Sequence, residues 1–421
     1  MGHRIWGRLT VLIVLAVMMV GGYSDIRTFH NDSDDFFQDF RNYYVASRMV
    51  QSGHSFEIYG EVAQNFDPTV EQPAAGSLFA QTSRTSGLKD VDQFDAPPTL
   101  PDLLVPIAAL PYSTAMFIWE SLNVVALLFA GIILTRMIGI QSFGLASVLI
   151  VALGVFRPTI IAYFYGNLPI LLLFLVLLGY ALYNSGHKPG AGFVFALAIA
   201  IKLTPLIVIV PFLAWRDWKI LRVVAIWLIL LFGALLVING PAALSMYFFH
   251  EMPNMGTKLL SMVDRNLSSA LQVVLFGLKF DTPLQGLIWI ARFLSVVILA
   301  LAVWLSQSER INPATGGSRL ETFTIFLLFS CCLSPVSWIH AYVLAAPFVL
   351  VLGVLAWQGY ANIFENVLLL LFVCSFSLNS HPRMEMTTPL IGISVGLLRL
   401  RRIRTEPYPS IASHVIAAPQ N

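Results

Sequence analysis

The sequence predicts an all-α polytopic membrane protein, a bundle of about twelve transmembrane helices. Three observations predict it. Hydrophobic residues make up 57% of the 421 residues and charged residues only 11%, against about 25% charged in an ordinary soluble domain. Mean hydropathy is +0.76. The apolar residues also gather in runs that approach the ~20 residues a helix needs to cross the hydrocarbon layer. In a bilayer the backbone must satisfy its own hydrogen bonds, which leaves helices or closed barrels.

The first run follows a basic start, "MGHRIWGRLTVLIVLAVMMV". Its core, Leu9–Val20, has the length of a signal-peptide h-region, but no small-x-small cleavage pattern follows closely. An uncleaved first span over 5–22 is therefore expected. Further spans are expected at 113–135, 142–156, 168–184, 190–201, 205–215, 220–238, 284–305, 321–334, 341–357, 363–379 and 388–400. With Arg4 and Arg8 in the cytoplasm, the even-numbered turns carry Arg136, His187 with Lys188, Arg216 with Lys219 and Arg222, Arg310 with Arg319, the stretch near Gln358, and "RLRRIR" at Arg399–Arg404. Nearly all are basic, so the positive-inside rule gives one consistent parity. Both termini are then cytoplasmic, and "RLRRIR" reads as a positive-inside anchor. Residues 1–405 form a single membrane domain, with a cytoplasmic tail over 406–421 and two large loops outside, 23–100 and 239–283.

Several function classes drop out. Net charge is +2 with no concentrated basic stripe, which argues against a nucleic-acid partner. There is no phosphate-cradling G-x-x-x-x-G-K-[ST] and no dinucleotide fingerprint. No His/Cys/Asp set has metal-ligand spacing, so neither cofactor nor metal is expected. Cys331, Cys332 and Cys374 lie in apolar runs and read as packing residues.

The first outer loop opens with "DSDDFFQDFRNYYVASRM", four carboxylates in its first eight residues. A helix is expected over Phe36–Gln51, with Asp34 or Asp35 as N-cap and Gly53 closing it. Asp39 would then lie about a turn inside, beyond most of the dipole's reach, on a face with Tyr43, Ala46 and Val50. A carboxylate on a half-apolar face is costly without a partner or a role. Either it pairs with Arg41, Arg48 or another loop charge, or it belongs to a site. Beyond it, "AGSLFAQTSRTSGLKD" reads as a mobile loop. "DAPPTLPDLLVPIAALPY" is too broken by proline for a plain span and reads as a re-entrant or interfacial return.

Four cationic or titratable groups fall on the same side by parity. Arg157, in "RPTIIAYFYGN", sits on a short outside turn, where it either snorkels or grips a phosphate bidentately. Lys202 interrupts "FALAIAIKLTPLIVIVPFLAW" beside Thr204 and Pro205; the pattern is a broken helical hairpin with a lysine at its tip, snorkelled or functional. Arg265 follows Asp264 and precedes Asn266, which with Ser268 is a candidate N-cap. His340, in "CCLSPVSWIHAYVLAAP", is either proton-active at a wet mouth or an interfacial polar residue beside Trp338. One acid and several cations at the outer face suit a lipid phosphate and a hydroxyl to be deprotonated. Together they fit group transfer from a polyprenyl-phosphate donor. A lipid-linked-sugar flippase or secondary transporter is the alternative, and it calls for charges on both sides or along a midplane path.

Five stretches occur in order across roughly residues 39–345: "DFRNYYVASRMVQSG", "PYSTAMFIWESLN", "RPTIIAYFYGN", "AGFVFALAIAIKLTP" and "SPVSWIH". In them the chain resembles glycosyltransferase family 87, within the GT-C superfamily of integral-membrane glycosyltransferases, which includes mycobacterial polyprenol-phosphate-mannose-dependent mannosyltransferases. The resemblance implies a GT-C-type bundle with Asp39 as general base. Arg157, Lys202 and His340 match family motif positions; charge assigns the cations, with Arg265 in reserve, to the leaving phosphate, and His340 to the catalytic set beside Asp39. Tyr43 and Asn167 are taken as substrate-binding. The implied reaction is an inverting transfer of a mannose-like sugar to a lipid or glycan hydroxyl at the extracytoplasmic face of the plasma membrane. The chain departs from the family pattern at Gly166-Asn167, where Gly-Gln is frequent, and at Asp95-Ala96-Pro97-Pro98, where Tyr-Pro-Pro is frequent. A long insert also separates Tyr59 from Asp95. These departures bear on acceptor specificity.

Overall fold

The computed structural model describes residues 2–31, 38–59, 74, 76–89, 91–92, 94–254, 266–276, 285–307, 316–335, 337–377 and 382–405. Asp34, Asp35, Arg265, most of the insert after Tyr59 and the tail 406–421 lie outside them.

Among the described residues every regular element is helical. The chain runs α1 (Gly2–Asn31), α2 (Gln38–Gln51), α3 (Leu78–Thr85), α4 (Thr99–Ala108), α5 (Tyr112–Ile138), α6 (Phe143–Val155), α7 (Arg157–Tyr165), α8 (Pro169–Asn184) and α9 (Lys188–Ile201). A 3₁₀ turn (Thr204–Ile209) leads into α10 (Val210–Ala214), followed by α11 (Trp218–Met246), a π-turn (Tyr247–Glu251) and α12 (Met252–Asn254). Then come α13 (Leu267–Phe276), α14 (Gln285–Ser306), α15 (Gly316–Cys332), a further 3₁₀ turn (Ile339–Ala345), α16 (Ala346–Gln358), α17 (Ile363–Ser377) and α18 (Pro382–Thr405). By length and composition, five described helices can cross a membrane, or six if α6 and α7, bent by 58°, make one span. The remaining expected spans are helical; most are shorter, whereas the last lies in α18, which has 24 residues but is not among the five.

Contacts define two ends. At one, Arg4 abuts Gly359, the Arg8 guanidinium lies 5.4 Å over the Trp357 ring, and Lys188 pairs with Asp217 at 2.6 Å, closing the base of the α9–α10 hairpin. Here too Arg399 on α18 meets Glu321 on α15 at 2.5 Å and Glu365 on α17 at 3.0 Å, while Arg402 takes the other oxygen of Glu365 at 2.7 Å. Arg399 is fully buried, at 0% exposure. The basic cluster therefore does more than the expected charge label: two of its arginines cross-link three helices, because buried carboxylates on α15 and α17 need cationic partners. At the other end lie the start of α2, the α7–α8 junction, the tip after α9 and the 3₁₀ turn before α16.

Helix α1 packs closely because its contact points are glycines. A Cβ at Gly7 would collide with the Ala356 carbonyl, and one at Gly21 with that of Ser377, the small-residue contact that lets membrane helices approach.

Two local expectations change. Residues 157–165 are a helix, not a turn, since Pro158 suits the first turn of a helix, where its missing N–H costs no bond, and Gly166, at φ 66°, closes it in the left-handed region. The stretch read as a mobile loop contains α3, whose first turn is capped by Ser77 accepting from the Ala80 amide and whose Phe79 is buried. The expected start of α2 at Phe36 and its Asp34 or Asp35 cap lie outside the described residues, which take up this helix at Gln38. Other signals hold: Gly53, at φ 85°, closes α2, and Asn266 caps α13 by accepting from the Ser269 amide at 2.9 Å.

Removing the buried cation strands Glu321 and leaves Glu365 with Arg402 alone. Arg399→Met is expected to cost about 3–5 kcal/mol of stability, read as a lowered thermal midpoint in detergent, with Arg399→Lys losing less.

Candidate functional site

Asn167 sits at the centre of the cluster. It follows Gly166 directly, where the tight left-handed turn between α7 and α8 brings the chain against α5; the indole N–H of Trp119 donates to the Gly166 carbonyl at 2.7 Å. The Asn167 amide is oriented by its own backbone, because Leu168 N–H donates to Oδ1 at 2.7 Å and the Tyr43 hydroxyl adds a second bond at 3.3 Å. With oxygen so occupied, the NH₂ must face the other way. There Nδ2 donates to Asp39 Oδ2 at 2.5 Å and stands 3.0 Å from His340 Nε2. Since Nδ2 can only donate, His340 accepts at Nε2 and carries its proton on Nδ1. Four groups thus converge on one side chain.

Helix α2 is fixed by its aromatic face. Phe40 stacks on Trp119 at 5.4 Å, Tyr43 meets the same ring edge-on at 6.2 Å, and the Tyr44 hydroxyl donates to the Leu110 carbonyl at 2.9 Å. The carboxylate of Asp39 is half-buried. Burial pushes its pKa up to about 7; the Asn167 hydrogen bond opposes this, Asp95 adds to it, Lys202 opposes and Asp92 adds. Burial, then the charges of Asp39 and Asp95, raise Tyr43 well above the usual phenol range, so it remains a donor.

Beside this cluster is a cavity of ≈ 270 Å³ lined by Asp95, Lys202, Thr204, Tyr247, Ser334 and Pro335, among others. Lys202 reaches it because α9 ends at Ile201 and Lys202 itself is extended, at φ −151° and ψ 134°. The broken-hairpin reading of this run accounts for that position.

Asp39, Tyr43, Asn167, His340 and Lys202 are thus brought together. Arg157 is placed differently. It lies at the opposite end of α7 from Asn167, about 14 Å along the axis at 1.5 Å per residue. Its Nε bonds Asp25 at 2.8 Å and its NH1 the Phe376 carbonyl at 2.5 Å, tying α1, α7 and α17. Sequence reasoning did not find Asp25 as its partner, nor Asp95 as a cavity residue. The only signal for Asp95 was its place in Asp95-Ala96-Pro97-Pro98, where the family pattern frequently has Tyr-Pro-Pro.

The bundle and its polar pocket define a helical membrane protein with an acid and a lysine at one end. Residues 96–335 match the model of glycosyltransferase family 87, more than half of the chain; the chain belongs to that family. A relative from Mycolicibacterium smegmatis, named polyprenol-phosphate-mannose-dependent alpha-(1-2)-phosphatidylinositol pentamannoside mannosyltransferase, is 26% identical over 265 residues, covering 60% of this chain and 59% of that protein. One from Mycobacterium tuberculosis, named polyprenol-phosphate-mannose-dependent alpha-(1-2)-phosphatidylinositol mannoside mannosyltransferase, is 30% identical over 169 residues, 40% of this chain and 37% of that protein. The chain therefore spans less than two thirds of the length of these relatives. No solved structure matches.

A carboxylate whose folded pKa exceeds its unfolded value destabilises the fold progressively as pH rises between the two. Asp39→Asn is expected to stabilise the protein relative to wild type by roughly 2–3 kcal/mol more at pH 8 than at pH 5, given a folded pKa of about 7. Paired thermal unfolding at the two pH values measures it.

Proposed function

We propose that the chain is a membrane glycosyltransferase that moves a mannose-like sugar from a polyprenyl-phosphate donor to a hydroxyl of a lipid or glycan, with inversion and with Asp39 as general base. The observation that carries this reading is the juxtaposition, in a family 87 chain, of an Asp39 carboxyl poised at about 7 and a cavity lined by Lys202. A base near neutrality accepts a proton without being permanently protonated or too weak. The names of the relatives support the donor class and a lipid acceptor.

In this mechanism the acceptor oxygen attacks the anomeric carbon and its proton passes to Asp39 Oδ. The bond from the anomeric carbon to the phosphate oxygen breaks, and the electron pair leaves with polyprenyl phosphate. Phosphate leaves readily, so no general acid is called for; Lys202 stabilises the charge it gains. Asn167 holds Asp39, and His340, acting through Asn167, fixes that amide. Arg157 is a positioning residue that secures α7, and through it the Asn167 turn, against α1 and α17.

The proposal extends to topology. The shorter helices also run between the two ends, as Lys188–Asp217 at the base of the hairpin and Lys202 at its tip illustrate. Counted this way, twelve crossings in a single domain over 1–405 place both termini on one side of the plasma membrane and the site on the other. The basic turns orient the terminal side to the cytoplasm.

With labelled polyprenyl-phosphate mannose and native membranes, Asp39→Asn is expected to lose transfer by about 10²–10⁴-fold while still binding donor. Wild-type kcat/KM should rise with pH through about 7 as Asp39 ionises. Near-normal turnover in the variant would remove Asp39 as base; vesicle transport of the lipid without a covalent product would favour a flippase instead.

A further inference from the structure

Asp95 stands where the backbone is held on both sides. Phe94 and Ala96 are buried, at 1% and 3% exposure, whereas Asp95 between them is exposed and lines the cavity. Phe94 packs between the rings of Tyr43 and Tyr59, at 6.3 and 5.8 Å, and the Tyr59 hydroxyl donates to the Ala96 carbonyl at 2.9 Å. The carboxylate is thus presented by a pinned strip of chain, not by a loose loop. Lys202 lines the same cavity from the break after α9.

Opposite charges sharing so small a space would ordinarily close on each other. Among the described residues neither the Asp95 nor the Lys202 side chain makes an ion pair or a hydrogen bond. The walls hold an unpaired acceptor and an unpaired cation apart. A ligand that satisfies both carries an anion at one end and hydroxyl donors at the other. An ionised carboxylate has only acceptor sites, so it bonds vicinal hydroxyls well and a phosphate not at all.

We propose that Asp95 is a specificity-determining residue that binds hydroxyls of the donor's sugar while Lys202 binds its phosphate, so that the cavity distinguishes a sugar-loaded polyprenyl phosphate from the spent carrier. This rests on the glycosyltransferase reading above. When the sugar leaves, the Asp95 carboxylate loses its donors and faces a phosphate of increased negative charge. The same residue that holds the loaded lipid therefore weakens the hold on the product, which helps turnover.

The test is competition binding to the full chain in nanodiscs, with polyprenyl-phosphate mannose and bare polyprenyl phosphate, alongside transfer assays. Charged hydrogen bonds to hydroxyls predict that Asp95→Ala weakens the loaded donor about 10- to 100-fold. Bare polyprenyl phosphate should bind as well as to wild type, or more tightly. Asp95→Asn, which keeps shape and one acceptor, should fall between, and it carries the test should the alanine variant fold poorly. Lys202→Met should weaken both lipids. Equal weakening of both by Asp95→Ala, or no change in either while wild type transfers sugar, would overturn the proposal alone. A wild-type chain that binds and transfers no polyprenyl-linked sugar would bring down the glycosyltransferase reading and this inference with it.

Discussion

The site depends on one amide whose orientation is not free. The backbone N–H of Leu168 and the Tyr43 hydroxyl claim the Asn167 oxygen, so its nitrogen must serve Asp39 and His340. Every donor and acceptor of that side chain is used, and the four partners come from three parts of the chain. Helix α2, the α7–α8 turn and the 3₁₀ turn before α16 are registered to one another through it. A polar network satisfied to this degree specifies a single geometry, since any shift leaves a buried group unpaired. The raised pKa of Asp39 follows from the same arrangement: the group is sheltered enough to resist ionisation and bonded enough to permit it.

Rigidity at the far end supports this. Arg399 and Arg402 bind α15 and α17 to α18, and glycine contacts seat α1 against α16 and α17. Arg157 then links α1 and α17 to the start of α7, whose other end is the Asn167 turn. Ionic anchors at the helix ends leave the polar groups near the cavity available for chemistry, not for holding the fold.

Much of this was legible in the sequence. Hydropathy and alternating basic turns gave the helical bundle, and Gly53, Asn266 and the Lys202–Pro205 break announced their local roles because caps and helix breakers act within a few residues. Asp39, Tyr43, Asn167, His340 and Lys202 were all singled out in advance, and they do converge. What sequence could not supply was pairing across long separations. Arg157 has the same flanking pattern whether it faces a ligand or Asp25, 132 positions away. Arg399 looks like any interfacial arginine until Glu321 and Glu365 are brought to it. Helix α3 was hidden because its polar composition resembles a loop, while its buried Phe79 reveals a face only in context. Asp95 was visible only within a departure from a motif; that its side chain has no partner among the described residues is a three-dimensional fact.

The hairpin that carries Lys202 is short. Helix α9 has 14 residues, so it rises about 21 Å, against a hydrocarbon layer of ~30 Å. A hairpin whose base rests at one membrane face therefore stops short of the other and leaves its lysine sunk beneath the headgroup plane. On the glycosyltransferase reading proposed above, a lipid phosphate descends to meet it and water follows down the same shaft. Acceptors would then be sorted by reach: a hydroxyl on a protruding, flexible headgroup would be lowered to Asp39, whereas one fixed at the membrane surface would stay above the floor where the bond is made.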